Sequence, residues 1–269
     1  MVRKLFKHEA AAYLHTLLPM NLILIGIALL TRIVWIFESK TVAFNIIGTS
    51  SIVALVIAML VCIVMSAAFA VIRFYKNLFT CEGYLTMTLP VTTGQHITVK
   101  LLSAVLFNLM TVVAVVLAAC ISMAGDMIVE VFKAGGYLLK RYFQEFGAEG
   151  AGYIAELVIM ILVAVATQFL LFYACISVGQ LARKNRVLAA LGVYFGYYLF
   201  CQIMGTVFMV IVMLCADTEL FRMIGQFIDD NPRLTVHIAL IASTVFSAAL
   251  GAVYYAVTHT MIKKHLNLE

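Results

Sequence analysis

Charge is scarce in this chain. Asp, Glu, Lys and Arg make up 12% of its 269 residues, about half the roughly 25% of an ordinary soluble domain. Hydrophobic residues make up 64%. A soluble core cannot absorb that much apolar surface, so the excess faces lipid and the chain reads as an integral membrane protein. The formal net charge of +5 is too modest to imply a nucleic-acid partner.

Signatures of chemistry are missing as well. No GxxxxGK[ST] run is present, so the chain has no P-loop of its own for ATP. Neither HExxH nor GxSxG occurs, which tells against an intramembrane metalloprotease or serine hydrolase. The cysteines (Cys62, Cys81, Cys120, Cys175, Cys201 and Cys215) show no CxxC spacing, and most lie inside apolar runs. Free buried thiols are expected, not a disulfide framework or a metal site. Cys120 and Cys215 both fall toward the outer face and could in principle pair. The histidines (His8, His15, His96, His237, His259 and His265) are scattered, none at ligand spacing, and read as interfacial or loop residues. No metal, cofactor or enzymatic activity is expected of this chain. Ionisable residues are also absent from the middle of every apolar run; Glu156 and Arg32 lie toward outer ends, within snorkelling reach of water. Ion-coupled carriers place such groups at mid-membrane. A transport role would therefore draw its energy from outside the chain.

What is present is six apolar runs, near 17–37, 51–72, 101–123, 153–178, 188–214 and 237–257. About 20 helical residues cover the ~30 Å hydrocarbon layer, and backbone groups in lipid must bond internally, so each run predicts a membrane-spanning helix. The first run is too long for the apolar part of a cleavable signal and no A-x-A site follows it, so it reads as a retained span. With the N-terminus inside, the cytoplasmic segments hold eleven basic residues against Glu9, Glu82 and Glu269. The outer segments hold the remaining seven basic residues and ten acids. The loop 181–187 carries Arg183, Lys184 and Arg186 and no acid. This asymmetry predicts both termini inside.

The first sixteen residues are amphipathic, with Pro19 and Asn21 interrupting the way into the first span, and predict an interfacial helix on the inner leaflet or a plain basic anchor. In the outer segment 125–152, Gly135-Gly136 predicts a break between two short helices. Leu220, Met223, Ile224 and Phe227 are spaced as one face of a further short helix over 218–229. Within the spans, Asn108, Gln168 and Gln202 stand out, with Thr111, Tyr194, Tyr197 and Tyr198. They suit interhelical hydrogen bonds first and substrate contact second. Small residues recur every fourth position on the second span (Ala54, Ala58, Cys62, Ser66, Ala70), as Gly192/Gly196 on the fifth, and as Ser243, Ser247 and Gly251 on the sixth. Such faces serve packing within the chain or a dimer interface.

The second and third spans are joined by a polar island bounded by Arg73 and Lys76 on one side and Lys100 on the other. It carries more apolar bulk than a solvated loop needs, including Phe79, Tyr84, Leu85, Met87 and Leu89. Buried against a soluble partner these would form an interface core, with Glu82 as a charged anchor at its rim. The run Glu82-Gly83-Tyr84-Leu85-Thr86-Met87-Thr88-Leu89-Pro90-Val91, followed by Lys100, resembles the ABC-2-type permease subunits of bacterial ABC transporters. The opening Lys4–Glu9, the six-span layout and the closing Lys263-Lys264-His265-Leu266-Asn267-Leu268 are similar to that family too. The long outer segment between the third and fourth spans departs from the more compact exporter pattern.

The resemblance implies an all-α permease of six spans that binds no cofactor itself and works with a cytoplasmic ABC ATPase, which carries ATP and Mg. Two permease subunits, alike or different, would pair in the lipid, with the path between them near spans two and five. Glu82, Gly83, Tyr84, Leu85, Thr86, Leu89 and Pro90 would belong to the segment that docks on the ATPase. A substrate-binding or sensory membrane module, such as a vitamin-capturing subunit, is the alternative; it would show one closed pocket within a single subunit.

Overall fold

The structure is a computed structural model that describes residues 2–37, 42–80, 83, 91–147, 149–182 and 185–264. Among the described residues there are eight α-helices and no strand. They are α1 (Val2–Ile36), α2 (Val42–Phe79), α3 (Thr93–Ser122), α4 (Asp126–Phe146), α5 (Glu149–Gly179), α6 (Arg186–Cys215), α7 (Glu219–Asp230) and α8 (Pro232–Lys264). Six of them, all but α4 and α7, are long and apolar enough to cross a membrane. The chain is thus all-helical, with the pattern of a multi-pass membrane protein.

The helices overrun the apolar runs that announce them. α2 has 38 residues, roughly 57 Å at 1.5 Å per residue, almost twice the hydrocarbon thickness. Charge limits how much of a helix lipid can cover, but it does not stop the helix. Residues 2–16 accordingly form no separate element. They are the opening turns of α1, which continues through Pro19. The expected break at Gly135-Gly136 is also absent: both glycines lie inside α4. Each costs a helix about 1 kcal/mol relative to alanine, too little to interrupt a strongly two-faced segment. α7 forms where the apolar spacing places it, and Pro232 opens α8 at the position where a missing amide hydrogen costs nothing.

The chain divides into two compact units, residues 1–78 with 85–150 and residues 79–84 with 151–269. In the first, α1 and α3 run parallel. Glu9 meets Lys100, Asn21 meets Thr111, and Ala28 joins Ala118 in one apolar cluster. α2 runs back against them: Leu55 and Cys62 pack with Leu24 and Ala28, Ser66 bonds Asn108, and Arg73 returns to Glu9. In the second unit α5 and α8 run parallel. Tyr153 donates to the Arg233 carbonyl, Ser243 to the Met160 sulfur, and Thr167 to the Ser247 carbonyl. α6 turns back from α5 so tightly that a Cβ on Gly179 would lie 2.6 Å from the Ala190 nitrogen.

Small residues decide how close these helices come. A Cβ on Gly251 would stand 2.9 Å from the Thr167 hydroxyl oxygen. The small face of α8 therefore packs inside the second unit. Cys62, Ser66 and Ala70 of α2 are likewise buried, with Ala58 partly so against the Leu24 cluster. Gly192 and Gly196 differ: a Cβ at either would meet nothing within 4 Å. Gly251→Leu is expected to destabilise the chain by about 1–3 kcal/mol through overpacking, whereas Gly196→Leu leaves the monomer's stability unchanged. Thermal unfolding of the two variants in detergent, followed by size-exclusion, checks this.

Candidate functional site

The parallel seam of α1 and α3 is written in both sequences. On α1 the buried positions are Glu9, Tyr13, Leu17, Asn21, Leu24, Ala28 and Thr31; on α3 they include His96, Lys100, Ser103, Phe107, Thr111 and Ala118. Steps of three and four put each set on one helical face. The seam changes character along its length, from ionic through amide and hydroxyl to apolar.

Its ionic end centres on Glu9, which is only 5% exposed. Arg73 Nε donates to Glu9 Oε2 at 2.6 Å, Lys100 Nζ to Oε1 at 2.8 Å, and Asn77 Nδ2 to Oε1 at 3.2 Å. Three side chains from two helices thus converge on one carboxylate of a third helix. Tyr13 closes the cluster on its apolar side, stacked on Phe107 with centroids 5.1 Å apart and edge-on to Phe69 at 5.2 Å. The Arg73 guanidinium lies 5.9 Å from the Tyr13 ring. Among the described residues, one carboxylate here pairs with two cations. Lys100, read from sequence as a basic flank of the island, is 4% exposed and paired with Glu9. His96, one turn earlier, is buried rather than interfacial, and among the described residues neither ring nitrogen has a hydrogen-bond partner.

This cluster stands where α2 ends and α3 begins, on either side of the island. Glu82, Tyr84, Leu85, Thr86, Leu89 and Pro90 lie outside the described residues. Gly83 is described: it is buried, and its N–H donates to the Thr80 carbonyl at 2.7 Å. On α3, Thr92 and Gln95 form a reciprocal capping box that fixes where the helix starts. Asn108 donates to Ser66 Oγ at 3.2 Å, an interhelical bond between two residues that sequence had placed in separate groups.

A second polar locus lies in the other unit, where α5, α6 and α8 border a cleft of about 490 Å³. Thr167, Gln168, Tyr194, Tyr197, Tyr198 and Tyr254 contribute to its lining. The Tyr197 and Tyr254 hydroxyls hydrogen-bond each other, and their rings meet edge to face with centroids 5.8 Å apart. Tyr194 packs on Phe172 at 5.4 Å. Gln168 therefore opens onto a cleft with the tyrosines of α6, while Gln202 lies exposed outside its lining. Gly192 and Gly196 are also exposed. Tyr254, the fourth tyrosine, was missed in the sequence because only its distance in space, not its spacing, joins it to the others. Toward the start of the same helices Glu156 does not stand alone in water: His237 Nδ1 lies 2.9 Å from its carboxylate and stacks on Tyr153 at 4.0 Å.

The five described cysteines are free, Cys120 and Cys215 among them. Compared with family models, curated proteins and solved structures, the chain matches none.

Removing one member of a buried ion cluster typically costs about 3–5 kcal/mol, because the remaining charge stays desolvated. Glu9→Gln and Lys100→Met are each expected to lower the unfolding temperature in detergent, and the double variant by less than the sum. Additive losses in that double-mutant cycle would show that the two residues do not act as a pair.

Proposed function

We propose that this chain is the membrane subunit of an ABC transporter of the ABC-2 permease type, an exporter half driven by ATP hydrolysed on a separate cytoplasmic subunit. The observation that carries the reading is the Glu9 cluster. It fastens both legs of the island, the end of α2 and the start of α3, to α1. A displacement of the segment between them would then move three helices together. That is what a docking segment without chemistry of its own requires.

On this reading the Glu9 end faces the cytoplasm and both termini lie inside, with the opening basic turns of α1 at the inner headgroups. The charge asymmetry of the segments supports that orientation. Glu82, Leu85 and Leu89 contact the ATPase, which holds ATP and Mg. A second permease subunit pairs with this one through the open Gly192/Gly196 face of α6, where an added Cβ meets nothing in the chain itself.

Glu82→Arg combined with Leu85→Asp reverses a rim charge and introduces a carboxylate into an apolar contact, changes that commonly cost several kcal/mol of association, roughly 2–5 for a buried charge pair. The variant is expected to insert normally but to lose co-purification with the partner ATPase and substrate-stimulated ATP hydrolysis in lipid. Wild-type association and hydrolysis in the double variant would reject the docking role.

A further inference from the structure

We propose that the cleft bordered by α5, α6 and α8 binds an aromatic amphiphile carrying at most one, delocalised, positive charge. Calling that ligand the substrate rests on the transport reading above; the binding itself does not. Depth is the first consideration. Gln168 lies about eleven residues before the end of α5 at Gly179, roughly 16 Å along the axis, which places it well inside the span. Water is scarce at that depth, and a polar side chain there calls for a partner.

The cleft leaves several such groups open. The Tyr197 and Tyr254 hydroxyls satisfy each other. The Gln168 amide and the hydroxyls of Tyr194 and Tyr198 have no hydrogen-bond partner among the described residues. Were the cleft only packed helix surface, these groups would be paired as Tyr197 and Tyr254 are. A lipid tail in the cleft would offer them nothing. A ligand with its own donors and acceptors would pair them, and an amide presents both kinds.

Charge narrows the class further. Among the described residues, no Asp, Glu, Lys or Arg lines the cleft. An anion entering would lose its hydration without meeting a cation, and a multiply charged ligand would fare worse. Tyrosine faces carry negative potential and tolerate a single spread-out positive charge. They also stack on aromatic ligands in offset or edge-on geometry. A volume of about 490 Å³ falls within the ~300–1,000 Å³ of small-molecule sites.

Cys201 lines the cleft and is exposed, whereas Cys215, near the end of the same helix, lies outside it. The pair gives an internal reporter. The full chain in lipid nanodiscs would be titrated with rhodamine 6G, a xanthene cation with N–H donors, and with fluorescein, an anionic xanthene of similar outline. Alkylation of each cysteine by N-ethylmaleimide would be followed by mass spectrometry, and dye binding by anisotropy. Rhodamine 6G is expected to slow alkylation at Cys201 and not at Cys215, and fluorescein to slow neither. Gln168→Leu and Tyr194→Leu should each weaken dye binding about tenfold, a loss of roughly 1.4 kcal/mol. The proposal is overturned if rhodamine 6G fails to protect Cys201, protects both cysteines alike, or is matched by fluorescein. The protection assay uses the unaltered chain, so a variant that fails to fold leaves the test intact. ATPase co-purification from the same preparation keeps the two readings apart: association without dye protection removes the ligand class and leaves the permease role standing.

Discussion

Inside a bilayer an apolar side chain gains little by leaving lipid for a neighbouring helix, so the fold must be held by contacts that lipid cannot imitate. This chain has few of them, and they are concentrated. In the first unit they line one seam, with a carboxylate and its three donors at one end, the Asn21–Thr111 bond midway, and close small-residue packing at Ala28 and Ala118 beyond, and the Ser66–Asn108 bond ties α2 beside it. In the second, hydroxyls and a glycine do the same between Thr167, Ser247 and Gly251. Elsewhere large apolar side chains lie open; α6 has no buried residue at all. Such a helix suits lipid or a second membrane protein.

The two units solve the same packing task with different chemistry. Each sets two parallel helices beside an antiparallel one. The first fills the contact with opposed full charges, which demand fixed geometry because a mispaired ion in a low dielectric is costly. The second uses neutral groups, whose partners can change at smaller cost. On the proposed reading the ionic cluster carries a displacement and the partly unpaired cleft accepts a ligand.

The six long apolar helices, with the pattern of a multi-pass membrane protein, were legible in the sequence, because apolar length and lack of charge act through composition alone. So was α7, whose apolar spacing has the helical period. The break at Gly135-Gly136 was misread because a local propensity of about 1 kcal/mol per glycine was set above the cooperativity of a long helix. The Glu9 cluster was not legible. Glu9 looked like one acid in a basic opening, and Arg73 and Lys100 looked like flanking anchors; only the parallel register of α1 and α3 brings them together. His96 was hidden for the same reason. The cleft was half visible: Gln168 and three tyrosines stood out as polar groups in apolar runs, but no spacing rule tells a shared cavity from separate hydrogen bonds.

The separation in sequence of the Glu9 partners has a consequence for how the chain is made. Arg73 follows Glu9 by 64 residues and Lys100 by 91. At about 5–20 residues per second, a newly made α1 waits roughly 5–20 s for its lysine. Throughout that interval the carboxylate lacks its lysine and is hydrated by water or headgroups instead. The hydrophobic window of α1 can enter lipid at once, while its polar turns remain outside until α2 and then α3 arrive. The Glu9 cluster can therefore close only in a timed sequence, the arginine of α2 first and the lysine of α3 last.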